Sequence, residues 1–320
     1  MNLIAAFMKL IRWPNLVFIG LTQWLFYFAV FFSLYHENAV IYNQLNSSYY
    51  LFYLLMLASV LIAAAGYIIN DYFDIQIDTV NKPEKNVVDR IIKRRWVIVW
   101  HWILSLLGIL ISIYVSAKTD KWLIGILNIF AVLLLWFYST HFKRMLIVGN
   151  VVIAALTGWV IVVVYFFAGA TLLNFRGWNP EVYPFNVKLF YKLTMLYAGF
   201  AFVMTLIREV IKDLEDMLGD ARYNCKTIPI VWGVPATKVY AGVWITVSMA
   251  SLIIVQLYAW QSGWWWSALY CLLFIVLPLG IVLKKLLSAK SAGDYHGISN
   301  LIKLVMLAGI LSMIFFNFLF

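Results

Sequence analysis

Apolar residues fall in nine long runs along the chain, at roughly 15–35, 49–70, 96–116, 120–139, 147–171, 189–207, 237–258, 264–284 and 300–319. Each is near the ~20 residues a helix needs to cross the hydrocarbon of a bilayer. The pattern predicts an all-α, polytopic membrane protein with nine transmembrane helices. The two longest polar interruptions, 71–95 and 208–236, both open on a row of carboxylates. These are Asp71, Asp74 and Asp78 in NDYFDIQID, and Asp213, Asp216 and Asp220 in KDLEDMLGD. Positions i, i+3 and i+7 share a helix face because each residue advances about 100°. Each triplet is therefore expected to present its carboxylates together at the end of a span. Moving the first triplet along by 142 positions lays it on the second, and little else in the two halves repeats.

Composition agrees with the pattern. At 64% hydrophobic and 12% charged, the chain has too little polar surface for a soluble globule. With the N-terminus inside, 19 of the 24 Lys and Arg fall on the inner side, from Lys9 and Arg12 through Lys284, Lys285, Lys290 and Lys303. Lys118, Lys121, Arg176, Lys188 and Lys192 fall outside. Basic residues stay preferentially in the cytoplasm, so both Asp rows are expected to face it. The net charge of +10 is what basic inner loops produce, which argues against nucleic acid as a partner. Two cysteines, Cys225 and Cys271, make neither a disulfide framework nor a zinc site. The opening MNLIAAFMKLIRWPN lacks a small-residue cleavage site and reads as an interfacial amphipathic helix.

Eight of the 14 acidic residues, the six aspartates with Glu209 and Glu215, crowd into the two short segments 71–78 and 209–220. Negative charge beside a membrane span is costly unless something cationic meets it. Carboxylates without His or Cys are hard oxygen donors, suited to Mg²⁺ or Ca²⁺. Lys82, Lys85, Arg90, Lys93 and Arg94 follow the first row, and Arg208, Lys212, Arg222 and Lys226 surround the second. Interleaved cation and anion binders fit a metal diphosphate better than a bare ion. A diphosphate at the membrane surface with its tail in the bilayer describes a polyprenyl diphosphate. Metal and basic groups would neutralise the leaving diphosphate as the allylic C–O bond breaks toward a carbocation. An 18% aromatic content is compatible with a cavity that stabilises such a cation, although Trp264, Trp265 and Trp266 read rather as an interfacial belt. One acidic row alone would read as a solvated face. Two with the same spacing on one side, the first preceded by Asn70, point to binding. His36, His101, His141 and His296 are scattered and read as interfacial residues, not ligands.

On these residues the chain resembles the UbiA superfamily of intramembrane prenyltransferases. That family carries N-D-x-x-D-x-x-x-D after the second span and D-x-x-x-D after the sixth. Asn70, Asp71, Asp74 and Asp78 fill the first pattern; Asp216 and Asp220 fill the second, which Asp213 extends. The resemblance implies a single transmembrane domain over 1–320, its helices around a central cavity, with Mg²⁺ held by the six aspartates. A prenyl group would pass from its diphosphate to a lipophilic acceptor, within a lipid bilayer and with no obligatory protein partner. Asn81, Lys82 and Pro83 match an N-K-P run, and Lys226 with Thr227 a K-[ST] pair whose lysine would face diphosphate. Asn15 in RWPN, and Tyr138 and Lys143 in YSTHFKR, resemble further landmarks. With Asn70, Arg90, Arg208 and Lys212 these make the expected substrate-binding set. Lys85 and Asn86 stand where many members carry Arg-Pro, and Asn224 where a glycine is common.

REVIKDLEDMLGD followed by KTIPI is most similar to the branch that adds geranylgeranyl to geranylgeranylglycerol phosphate, an ether-lipid reaction. The runner-up is an aromatic acceptor, as in quinone synthesis. A transporter would place its ionisable groups near the bilayer midplane, whereas these carboxylates are expected at span ends. A scaffold without catalysis would need no matched rows.

Overall fold

The computed structural model describes residues 2–35, 49–81, 87–173 and 187–318. Among them nine helices are long and apolar enough to cross a membrane, and no strand is formed. In chain order the helices are α1 (Leu3–Leu10), α2 (Trp13–Leu25, continued by a π-helical turn Phe26–Phe31), α3 (Tyr49–Asn81), α4 (Arg94–Thr119), α5 (Trp122–Thr140) and α6 (Val148–Leu173). They continue with α7 (Val187–Glu215), α8 (Met217–Arg222), α9 (Ile228–Val231), α10 (Gly233–Gln261), α11 (Trp265–Cys271), α12 (Leu277–Ser288) and α13 (Ala292–Leu311). A π-helical turn, Leu272–Val276, joins α11 to α12 just before Pro278. Proline has no N–H and crowds the carbonyl four residues back, which a local π turn relieves.

The apolar runs locate the spans, but the helices outrun them. The second run ends at 70, whereas α3 carries on to Asn81, so the first Asp row is helical throughout. The last helix starts at Ala292, eight residues ahead of the run at 300. A capping box sets that start: Asp294 N–H donates to Ser291 Oγ (3.2 Å), and Asp294 Oδ2 accepts from Ser291 N–H (2.9 Å). Lys303, counted above with the inner end, therefore lies more than three turns inside α13.

Two compact units divide the chain. The first comprises Met1–Thr140 and Trp159–Leu196. In it α4 lies close along α3, because Gly108 has no side chain: a Cβ there would stand 2.8 Å from Ile62 Cγ1 and 3.3 Å from the Ala58 carbonyl oxygen. Polar side chains tie its helices where no water competes. Gln23 Nε2 donates to Ser59 Oγ and to the Val160 carbonyl (3.0 Å each), Asn128 Nδ2 to Ser112 Oγ (2.9 Å), and Trp159 Nε1 to Asn128 Oδ1 (2.9 Å). His101, expected at an interface, is buried and pairs with the Ala65 carbonyl at 3.0 Å. Helix α1 is amphipathic as the sequence suggests. Ala6 and Leu10 are buried against Ile68, Val87, Val88, Ile92 and Val97, while Leu3 and Ile4 are exposed. That docking joins the N-terminal segment to the polar end of α3.

The second unit comprises His141–Gly158 and Tyr197–Leu319. Its core gathers Met204, Ile207, Val210, Ile211 and Leu214 of α7 with Ala241 and Ile245 of α10, Leu279, Val282 and Leu286 of α12, and Ile298, Ile302 and Val305 of α13. Trp265 and Trp266 are exposed at the start of α11, in keeping with a belt position.

Candidate active site

The first carboxylate row occupies the last three turns of α3. Asp74 is buried, and Asp71 and Asp78 are partly so. Each of the first two is held. Arg12 Nη2 donates to Asp71 Oδ1 at 2.7 Å, and Asn70 Nδ2 donates to Asp74 Oδ2 at 2.7 Å. Arg12 stands between α1 and α2 with its backbone in the left-handed region (φ 51°), and its guanidinium lies over the Tyr67 ring, 5.2 Å from the centroid. Burial works against that charge, but attraction to Asp71, Tyr67 and Asp74 outweighs it and keeps the pKa above the ordinary arginine value. Asn15, in the first turn of α2, donates its N–H to the Arg12 carbonyl (2.8 Å), which places it beside the same junction. Asn70 Oδ1 is buried with no hydrogen-bond partner, an oxygen donor next to two carboxylates.

Arg90 lies exposed in the turn after α3, where Asp89 (φ 65°) pairs with Arg94 at 2.7 Å. Lys82, with Pro83, falls outside the described residues. Tyr138 is half-buried near the end of α5.

The second row belongs to the second unit and is not one straight helix. Asp213 lies in the last turn of α7, the backbone bends at Asp216 (φ −96°, ψ 8°), and Asp220 lies buried in α8. The single-face expectation holds along α3; here the bend interrupts it. Hydrogen bonds nonetheless run from Asp216 N–H to the Lys212 carbonyl (2.8 Å) and from Asp220 N–H to the Asp216 carbonyl (3.2 Å), so the row remains compact. Asn150 Nδ2 donates to Asp213 Oδ2 at 2.8 Å. Glu209 gathers two cations: Arg208 Nη1 at 3.2 Å and Lys212 Nζ at 3.0 Å.

Two basic loops join in this unit. Lys143 lies in the turn Phe142–Arg144, and the Lys226 N–H donates to the Arg144 carbonyl at 2.9 Å. Gly149 allows that turn to rest on the start of α6, since a Cβ would meet the Phe142 carbonyl oxygen at 2.8 Å and Lys143 Cα at 3.0 Å. Asn224, where a glycine is common in the family, has φ 55°. Asn is among the few side chains that tolerate that region, so the turn geometry survives the departure.

Arg12, Asn150 and Glu209 were not singled out as site residues. Arg12 reads as one more inner-side cation. Asn150 has a legible signal, a lone amide at the start of an apolar run, and Glu209 was counted only as part of an acidic stretch.

Among the described residues no three His, Cys, Asp or Glu side chains come together closely enough to hold a metal by themselves. Mg²⁺ does not require that. It usually takes one or two carboxylates and fills its octahedron with water and substrate phosphate oxygens. Carboxylate rows supplemented by the orphaned Asn70 oxygen suit such an ion and offer no soft ligand.

Among the described residues, nine apolar helices with carboxylates at their polar ends define an integral, multi-pass membrane protein. The model of the UbiA prenyltransferase family matches residues 29–296, and the chain belongs to that family of prenyl-transferring enzymes. It is 31% identical over 205 residues to the digeranylgeranylglyceryl phosphate synthase of Methanobrevibacter smithii, which covers 64% of this chain and 66% of that protein. The chain thus spans about two thirds of that relative's length. A solved structure of a digeranylgeranylglyceryl phosphate synthase superposes with a TM-score of 0.61 at 22% identity, covering 98% of this chain and 99% of that one. A UbiA homologue from Archaeoglobus fulgidus, solved bound to DMAPP and Mg²⁺, superposes with a TM-score of 0.52 at 14% identity, covering 96% and 98%.

Proposed function

We propose that this prenyltransferase moves a polyprenyl group from its diphosphate to the free hydroxyl of geranylgeranylglyceryl phosphate, making an ether lipid, with its site facing the cytoplasm. Asp71, Asp74, Asp78, Asp213, Asp216 and Asp220 would hold Mg²⁺, whose positive charge stabilises the leaving diphosphate. Lys82, Arg90, Lys143, Lys212 and Lys226 would bind diphosphate oxygens, with Asn15, Asn70 and Tyr138 at its edge and Arg208 as a further anion binder. The allylic C–O bond breaks, the diphosphate departs with the electron pair, and the glycerol oxygen attacks the cation and loses its proton.

The observation that carries this reading is that each carboxylate row stands at the polar end of a span and is held by designated partners. Arg12 and Asn70 hold the first, and Asn150 the second. A merely solvated acidic face would not recruit partly buried amides. The relative from Methanobrevibacter smithii supports the acceptor, and the Archaeoglobus fulgidus homologue with DMAPP and Mg²⁺ supports donor and metal.

The test is transfer from a radiolabelled prenyl diphosphate. Asp71→Ala and Asp216→Ala are expected to lower the rate on the order of 100-fold or more while leaving the protein in the membrane fraction. Wild-type rates in both would end the assignment. Farnesyl, geranylgeranyl and longer diphosphates should be offered against geranylgeranylglyceryl phosphate and an aromatic quinone precursor. Products read by mass spectrometry then give chain length and acceptor together, and a prenylated ring would replace the glycerol reading.

A further inference from the structure

Helix α1 has eight residues, far short of the ~20 that cross a bilayer. Its Ala6 and Leu10 are buried against Ile68 of α3, against Val87, Val88 and Ile92 of the turn after α3, and against Val97 near the start of α4. The Phe7 ring meets that of Trp100 in α4 at 5.1 Å. A second line on α1, Ile4 and Met8 at i and i+4, is exposed. Alongside, α4 presents a line of its own: Lys93 at the cap, then Trp96 and Trp100, at i, i+3 and i+7, all exposed. A cation followed by indoles is the order in which a span meets a membrane surface, charge at the headgroups and ring at the edge of the hydrocarbon.

The charge of this surface is one-sided. Lys9, Lys93 and Arg95 are exposed, and among the described residues none of the three pairs with a carboxylate. Arg94 pairs with Asp89 at 2.7 Å, so the nearby acid is already taken. No acidic residue lies in the first turn of α4, which leaves Lys93, Arg94 and Arg95 crowded at the positive end of its macrodipole. In water that crowding costs helix stability, and a layer of negative headgroups would offset it. Translocation bias accounts for cations on this side of the membrane. It does not account for their gathering with exposed indoles and aliphatic side chains around a helix that spans nothing.

We propose that α1 and the start of α4 form a dock for the headgroups of anionic phospholipid, and that the docked leaflet holds α1 on the polar end of α3. The effect reaches the first aspartate row through Arg12, two residues past α1, which donates to Asp71 at 2.7 Å. The same packing carries Val87, Val88 and Ile92, and with them the turn that bears Arg90. A neutral leaflet still accepts Ile4 and Met8 but gives the cations no partner, so α1 is held less firmly and Arg12 spends less time on Asp71. The dock takes up bulk lipid, not substrate. It goes beyond the reaction proposed above, and lipid binding is read without turnover.

The test uses the full chain in phosphatidylcholine nanodiscs with and without phosphatidylglycerol. Lipid retained by the protein is read by native mass spectrometry, and the amides of residues 3–11 by hydrogen–deuterium exchange. Wild type is expected to retain phosphatidylglycerol over phosphatidylcholine. Its α1 amides should exchange about fivefold more slowly or better when phosphatidylglycerol is present, the scale of one cation near an anionic surface. The double variant Lys93→Gln with Arg95→Gln should melt in detergent as wild type does, yet lose both responses, and Lys93→Arg should keep them. Transfer by wild type should rise several-fold with phosphatidylglycerol, and Arg12→Ala should abolish that rise. A wild type that retains both lipids alike, or a double variant that still prefers phosphatidylglycerol, overturns the dock. Measurable transfer or α1 exchange indifferent to phosphatidylglycerol overturns its hold on α1. Retention and protection as expected, in a wild type that transfers nothing to geranylgeranylglyceryl phosphate, would uphold the dock and remove the acceptor reading instead.

Discussion

Asp71, proposed above as a Mg²⁺ ligand, has its rotamer already constrained by Arg12. The 2.7 Å bond fixes one carboxylate oxygen, the Tyr67 ring limits where the guanidinium can go, and the left-handed backbone at φ 51° aims the Arg12 side chain back at α3. Arg12 acts through another residue, so it is a positioning residue. Arg12→Ala is expected to lower the transfer rate about tenfold, as misplacing a reacting group does, with Arg12→Lys recovering part of it because an ammonium lacks the planar fork. Rates over a Mg²⁺ titration check this. A mutant that reaches the wild-type maximum rate at ordinary Mg²⁺ would show that Asp71 needs no such support. The aspartates, Asn70 and most of the cations were legible one by one, because chemistry at a span end stands out against apolar residues. Their holders were not. Whether an arginine near the N-terminus meets Asp71 depends on how α1 docks beside α3, a contact across 59 residues that no local spacing encodes.

At the scale of elements, hydrophobic runs gave the spans because the bilayer imposes one length on every helix that crosses it. They gave the ends poorly, since a helix need not stop where the apolar residues do. Residues 71–81 and 292–299 remain helical because hydrogen bonding and capping continue past the lipid. This is why Lys303, counted with the inner end of its run, lies more than three turns inside α13. The bend at Asp216 was likewise invisible to an i, i+3, i+7 count, which assumes an unbroken axis. Close helix contacts permit a sharper expectation. Gly149→Ala sets a Cβ against backbone atoms that carry Lys143, at 2.8 and 3.0 Å, so the turn must shift. Overpacking of this kind costs about 1–3 kcal/mol. The variant should melt several degrees lower and lose transfer rate. Gly199→Ala, in α7 with no atom within 4 Å of the added Cβ, should melt at or slightly above wild type. Equal melting of the two would mean that the Lys143 turn does not depend on Gly149.

For the whole molecule, the distribution of Lys and Arg is the physical ground for placing the site on the cytoplasmic side, since positive residues resist translocation. Charges inside the spans do not disturb that argument: Arg208, Glu209, Lys212 and Asp213 occupy about the last two turns of the long α7, next to the polar end, and Lys303 lies about three turns inside α13. The orientation can be read chemically because the chain has a quiet background. Cys225 and Cys271 are both buried. Leu218 in α8 and Ser262 just past α10 are exposed, and one span, Gly233–Gln261, separates them. In intact cells a membrane-impermeant maleimide is expected to label Ser262→Cys and spare Leu218→Cys until the membrane is opened, the two positions lying on opposite faces. Labelling of Leu218→Cys from outside would put the second aspartate row on the external side. The diphosphate would then have to be supplied outside the cell, and the basic loops around Lys143 and Lys226 would have crossed the membrane against the positive-inside bias.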